Sequence, residues 1–418
     1  MTTIDERAVW AVWAWGANNC GQLGCGHPED LLAPTVLKMS DTMSESAHTV
    51  WPGLLTGGGA FSVMLTDSGR VLTSGKNDCG QLGQEPQKCE DGNHYKDTLF
   101  FSPCLLSDTI TVTQVAAGWN FVLALTGTGS IISWGSNSFG QLGRVLSGGM
   151  KMDPTPASLL LNIQPLLVPT PGVSKFVDVA AGLRHGLAIS ECGHVYSWGS
   201  GRKGQLGVAI PQGKSLLDSP VPVSLSLAVG DKPIQVVAGM NFSGVLTERG
   251  IIFLWGCNKF GQCGVDPATE FMLKLPSQLK LPEEMSRTDN GQKHLKVVSV
   301  AAGWTHMIFK TDNKQLYSWG RADLGQLGRS TDLVPQHMPG HIAIEEKITS
   351  HCCSSEHNLA LTDKGQVYSW GWNEHGICGT GDEDNVFLPR LISSLLDKTV
   401  MGVGCGAGHC FCWTMRPA

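Results

Sequence analysis

WGANNCGQLG at 15–24, WGSNSFGQLG at 134–143 and WGRADLGQLG at 319–328 are copies of one ten-residue unit, and the fold turns on how many more there are. Four further copies occur: SGKNDCGQLG at 74–83, WGSGRKGQLG at 198–207, WGCNKFGQCG at 255–264 and WGWNEHGICG at 370–379. Seven copies spaced 51 to 64 residues apart indicate a repeat architecture, in which chain length no longer counts domains. A second unit alternates with the first: Gly-x-x, then a ring, a short apolar run, and Thr or Ser five residues after the ring. Its rings are Phe61, Phe121, His185, Phe242, His306, His357 and His409, again seven.

Between the two units lie hairpin signals, as in LTDSGRVLTSG at 65–75, AISECGHVYSWG at 188–199 and ALTDKGQVYSWG at 360–371. Val, Ile, Tyr and Thr favour strands, and the Gly supplies a turn residue with positive φ. Lys314 stands where that Gly is due, so a different turn type is expected there. Each repeat thus predicts four strands. The first runs into Gly-x-x, as in VDVAAG at 177–182; the second starts at the ring; the third ends at Trp-Gly; the fourth follows the Gly-Gln-Leu-Gly loop. One such sheet cannot bury its own faces, whereas sheets stacked around an axis bury one another.

The fold class predicted is all-β: one seven-bladed propeller over residues 1–418. The last ring unit, GAGHCFCWT at 406–414, lacks a hairpin partner, and AVWAVWAWG at 8–16 supplies one. The last blade is therefore expected to be shared by residues 8–24 and about 400–414, with the N- and C-terminal strands paired.

Composition narrows the function. There are 52 Gly with 42% hydrophobic residues, which suits many tight turns around short buried strands. Net charge is −6 with no long basic run, so neither nucleic acid nor an anionic membrane surface is an expected partner. MTTIDERAVW has no secretory pattern, and no apolar run reaches the roughly 18–20 residues of a membrane span. A cytoplasmic location with access to the nucleus is expected, without membrane insertion. The 14 Cys are then expected as reduced, mostly buried thiols, and the spacing of His409, Cys410 and Cys412 matches no common zinc pattern. GxxxxGK[ST], HExxH and a GxSxG nucleophile elbow are all absent, so no catalytic, metal or cofactor residue is assigned and binding is the expected mode of action.

WGxNxxGQLG alternating with units such as AAGLRH at 180–185 resembles the RCC1 repeat family over nearly the whole chain. SEHNLA followed by SWGWNEHGICG at 355–379 is similar to the secretion-linked exchange factors of that family. The resemblance implies a seven-bladed propeller, a small GTPase as partner, guanine nucleotide exchange by protein binding, and a link to secretion with an exocyst component as a further partner. A monomer is expected. The alternative is a non-catalytic scaffold in a trafficking complex. One departure bears on this choice: exchange-active members place acidic residues in several Gly-x-x dipeptides, whereas here Glu356 stands alone.

Strands alternate in direction, so the Gly-x-x dipeptides and the Gly-Gln-Leu-Gly loops share one face, which the resemblance makes the GTPase side. The candidate partner-binding residues are Trp119, Asn120, Arg184, Asn241, Trp304 and Glu356 from the dipeptides, and Arg321, Asp323, Trp372, Glu374 and His375 from the loops. Trp and Arg dominate interface hot spots, and these three Trp stand outside the regular Trp-Gly column. The column itself (Trp15, Trp134, Trp198, Trp255, Trp319, Trp370) reads as packing between blades. The ring site accepts His or Phe, so a flat ring rather than a proton carrier is expected there. The Asn at 18, 77, 137, 258 and 373 are expected to bond backbone within their loops. Two long segments, 144–176 and 265–296, break the period; the polar run EEMSRTDNGQKH at 283–294 is expected to be flexible and regulatory.

Overall fold

The computed structural model describes residues 10–37, 52–85, 87, 95–145, 164–282, 295–331 and 335–415. Residues 146–163 and 283–294, the centres of the two long segments, lie outside the described residues. Strands β1–β28, numbered in chain order, form seven four-stranded sheets. Blades one to six are β3–β6 (52–103), β7–β10 (112–167), β11–β14 (176–223), β15–β18 (233–278), β19–β22 (297–342) and β23–β26 (348–391). The seventh runs in the order β2 (Leu31–Val36), β1 (Trp10–Gly16), β28 (His409–Met415), β27 (Val400–Cys405). β1 and β28 pair without interruption from Trp10↔Met415 to Gly16↔His409, so the two chain ends close the ring.

The first strand of every blade faces the axis. Together they line a central channel of about 390 Å³, with Leu55, Val115, Val179, Val236, Ala302, Cys352 and Val403 among its walls. The second strand of each blade begins at the ring residue, as predicted, and Phe121–Thr126 is buried throughout. The fourth strand is the weakest element and shrinks to Leu166–Leu167 in blade two. No helix among the described residues is long and apolar enough to cross a membrane.

The Lys314 turn corrects the expectation from sequence. The Lys314 N–H donates to Thr311 O at 2.9 Å, as Gly69 N–H does to Thr66 O, and Lys314 itself takes φ +69°. The turn type is therefore kept, in a backbone region that costs a residue with a β-carbon on the order of 1 kcal/mol. Hydrogen bonds between Thr311 Oγ1 and the Gln315 backbone, and between Ile348 N and Lys314 O, hold it there.

Blades are joined by a repeated polar contact. Each column Trp donates its indole N–H to a loop carbonyl of the preceding blade: Trp134 to Gln81, Trp198 to Gln141, Trp255 to Gln205, Trp319 to Gln262, Trp370 to Gln326 and Trp15 to Ile377, all at 2.8–3.2 Å. Ser74 stands in the column at blade one, and its hydroxyl reaches Gln22 O. All six indoles are fully buried. In five copies the last Gly of the loop motif (Gly83, Gly143, Gly207, Gly328 and Gly379) stands against the pyrrole edge of the next blade's column indole. At Gly207 (φ +65°) a Cβ would stand 2.7 Å from Trp255 Nε1, so the close approach and the backbone both demand glycine.

The ring residues add a second contact, which corrects the reading of them as flat rings alone. His185, His306, His357 and His409 each place Nε2 on the residue that follows the ring of the next blade: Ser243 at 2.9 Å, Asn358 at 2.6 Å, Cys410 at 3.0 Å and Ser62 at 2.7 Å. That residue in turn donates to the carbonyl that receives the Trp or Ser74 bond: Gln205, Gln326, Ile377 or Gln22. The histidine Nε2 must therefore carry the proton. Where the ring is Phe61, Phe121 or Phe242, the facing residue is Val122, Gly186 or Met307, and no such chain forms. His is used where the neighbouring blade offers an acceptor, and Phe where it does not.

Candidate functional site

The Gly-x-x turns form a hydrogen-bonded collar around one mouth of the channel. Ala407 N donates to Gly58 O, Gly59 N to Trp119 O, Trp119 N to Leu183 O, Leu183 N to Met240 O, Met240 N to Trp304 O and Trp304 N to Ser355 O. The Ser355 hydroxyl closes the circle on Ala407 O. The second dipeptide residue is tied outward: the carbonyls of Ala60, Asn120, Arg184, Asn241, Thr305, Glu356 and Gly408 each accept from the start of the Gly-Gln-Leu-Gly loop. Both loop types thus stand on one face, bound to each other in all seven blades. In the five loops that carry it the expected Asn bonds are present, as in Asn373 Oδ1 accepting from Cys378 N and its Nδ2 donating to Asp384 O.

The candidates divide by exposure and partners. Trp119 is 41% exposed, and Trp304, half-buried, reaches across from the far side of the ring to pack against it at a centroid distance of 5.6 Å. The pair roofs the channel mouth. Trp372 is half-buried and shares with both a cavity of about 270 Å³ open on the same face, which Asn120, Asp78 and His375 also line. Arg184 is exposed and lies over the Phe139 ring at 4.1 Å. Asn241 accepts a long hydrogen bond from Gln205 at 3.4 Å, and Asn120 donates to Cys79 Sγ. Glu374 is exposed, and His375 Nδ1 lies 2.7 Å from Asp30.

Three candidates are committed to one another. Arg321 grips Asp323 at 2.5 and 2.9 Å, and that contact holds the Asp323 carboxyl below its ordinary value while raising Arg321. Glu356 is turned inward, 5% exposed. Its carboxylate accepts from Thr305 at 2.6 and 2.8 Å and from Gln326 at 2.8 Å, with Arg321 3.6 Å away. It positions neighbouring loops from beneath.

Phe139 and Phe260 were missed by sequence reasoning. Both occupy the slot before the first Gly of Gly-Gln-x-Gly, and cations rest on both: Arg184 on Phe139, and Arg321 and Lys259 on Phe260 at 5.2 Å each. The slot holds Cys20, Cys79, Phe139, Lys203, Phe260, Leu324 and His375 across the seven copies. That variability inside a regular motif was the available signal.

Charge on the face is polarised. The blade-three loop, 201–215, carries Arg202, Lys203 and Lys214 and no carboxylate, with Arg184 beside it. Roughly opposite, the loops of blades six and seven, 372–385 and 17–30, carry Glu374, Asp382, Glu383, Asp384, Glu29 and Asp30 and no Lys or Arg. A partner meeting this face is steered into one orientation.

Comparison with known proteins agrees with this architecture. The RCC1-like domain matches residues 11–412. The secretion-regulating guanine nucleotide exchange factor of Bos taurus is 35% identical over 98% of this chain and 84% of its own. Its Mus musculus counterpart is 35% identical over 100% of this chain and 86% of its own. Among solved structures, Prp20p from Saccharomyces cerevisiae, described together with its binding to Gsp1p and histones, superposes with a TM-score of 0.79. It is 25% identical and covers 98% of this chain and 92% of that one.

Proposed function

The chain belongs to the RCC1-like domain family, and from that membership we propose that it engages a small GTPase through its loop face and promotes release of bound guanine nucleotide, in the service of secretion. The observation that carries this reading is the near full-length likeness to relatives named for that activity. An exchange factor acts by binding the nucleotide-free GTPase more tightly than the loaded form, so it needs a rigid, preorganised surface and no reactive group. The collar and the loops tied to it meet that need. The proposed contacts are Trp119, Asn120, Arg184, Asn241, Trp304, Trp372, Glu374 and His375. Arg321 with Asp323 acts as a pre-formed pair, and Glu356 as their support. The proposed setting is the cytoplasm, with access to the nucleus.

One observation favours a second reading. Glu356, the single acidic dipeptide residue, is buried on internal hydrogen bonds. A face without an exposed dipeptide carboxylate can bind a partner without expelling its nucleotide, as a scaffold for a GTPase or an exocyst-type component would.

Arg184→Glu combined with Trp304→Ala tests the assignment of the face. Titration against nucleotide-free GTPase is expected to show affinity reduced at least about 100-fold, from two hot-spot positions. The melting temperature should change little, since Arg184 is exposed and Trp304 only half-buried. Unchanged affinity, or a variant that does not fold, would sink the assignment.

A further inference from the structure

We infer that the cavity walled by Trp119, Trp304 and Trp372 receives a basic side chain, lysine or arginine, from a protein partner. This rests on the reading of the loop face as the partner face and adds to it the chemistry of one subsite. The cavity, about 270 Å³, lies where blades six, seven and one meet, with Trp119 and Trp304 forming its wall on the axis side. Three indoles around one opening offer π faces that attract a cation, and more strongly once it is desolvated.

Charge decides between a cationic and a plainly apolar occupant. The cation lining the cavity, Lys76, is already held by Asp78 at 3.0 Å, and His375 is held by Asp30 at 2.7 Å. Asp30 and Glu383 both reach His375 at the edge of the cavity, and the blade-six and blade-seven loops themselves carry no Lys or Arg, although Asp382 is paired with Arg390 of the following strand. Asp97 stands on blade one, where burial first and then the Asp78 charge raise its carboxyl. An incoming carboxylate would be repelled here. A phosphocholine headgroup offers a suitable cation but brings its phosphate into the same acidic sector. A lysine or arginine brings the cation on an apolar stem that the indoles can cover.

The basic sector opposite (Arg184, Arg202, Lys203, Lys214) completes the fit. The partner we infer carries a protruding basic side chain on one side of its footprint and an acidic surface on the other.

The test uses the full chain and three probes: N-acetyl-lysine methylamide, its neutral counterpart N-acetyl-norleucine methylamide, and phosphocholine. Binding is read from the indole N–H signals of the tryptophans and from their fluorescence. The lysine probe is expected to half-saturate at a concentration at least about tenfold below norleucine, the margin of a partly desolvated cation–π contact. Trp372→Ala should remove that margin. Equal response to lysine and norleucine would make this a plain apolar pocket and overturn the inference. Tighter binding of phosphocholine would assign it to lipid, and no saturable response would remove the site. These readouts need no GTPase. Lysine selectivity without any nucleotide release leaves this inference standing and defeats the exchange reading, and release without lysine selectivity does the reverse.

Discussion

Acidification from pH 7 to pH 5 is expected to destabilise the propeller by roughly 6 kcal/mol, an effect that begins near the pKa of free imidazole. The cause is a set of buried histidines, three of them in the relay between blades. Burial pushes His185 down to about 4 and His357 and His409 down to about 3; His351, buried outside the relay with its Nδ1 also unpartnered among the described residues, is likewise pushed down to about 3. In the three relay rings the geometry agrees, because Nε2 already donates to the next blade and Nδ1 has no acceptor among the described residues. A second proton would create an N–H⁺ with nowhere to go. Because these values lie below the unfolded value of about 6.5, the unfolded chain takes up protons first as pH falls. The stabilisation is full above that value and drains away as pH falls toward the folded values. Each histidine loses about 2 kcal/mol by pH 5. Asp178 works in the opposite sense. Burial raises its folded carboxyl to about 6, against the hydrogen bonds from Val236 N and Gln114. The folded state therefore takes that proton first and regains about 1.4 kcal/mol by pH 5. Four histidines outweigh one aspartate. Urea midpoints at pH 7, 6 and 5 check the sign. Replacing His185 by Phe together with Ser243 by Val copies the Phe61–Val122 pairing and should remove about one quarter of the histidine contribution. Midpoints flat with pH, or rising on acidification, would show that these rings are not the neutral relay described.

Removal of residues 1–16 is expected to abolish cooperative folding. β1 is an inner strand of blade seven, flanked by β2 and β28, although it comes first in the chain. Its loss leaves the whole of β28 from His409 to Met415 unpaired on that side and detaches β2 from the ring. It also removes Trp15, fully buried and bonded to Ile377 O of blade six, a side chain whose truncation alone costs about 3–5 kcal/mol. An unpaired inner strand is both a core defect and an aggregation template. Circular dichroism melts of the truncated and full chains report the outcome. A truncated chain melting within a few degrees of the full one would show that closure is dispensable.

Both expectations separate what the chain displays linearly from what it does not. The fold was legible because each repeat is a local unit: a ring, a hairpin, a Trp-Gly and a loop, recurring in order. Closure was legible because the half-blade at 406–414 and the half-blade at 8–16 complete each other. The histidine relay was also written in the sequence. Ser243, Asn358, Cys410 and Ser62 stand opposite His, and Val122, Gly186 and Met307 opposite Phe, but the pattern appears only when position n of one repeat is compared with position n+1 of the next. At the site, alternation of turns placed the eleven candidate residues on one face, and it could not say which way their side chains point. Glu356 turns inward because Thr305 and Gln326 of blade five offer it partners. Trp304 meets Trp119 because three blades' worth of ring curvature brings them across the mouth. Both are contacts between repeats, and no local motif encodes them.

The central claim is that the loop face acts on a small GTPase, and nucleotide release tests it most directly. A panel of purified small GTPases loaded with a fluorescent guanine nucleotide would be followed with and without the protein. The account predicts accelerated release from at least one GTPase, lost in the Arg184→Glu, Trp304→Ala variant. No acceleration across the panel by protein shown to unfold cooperatively would contradict it and leave the propeller as a scaffold.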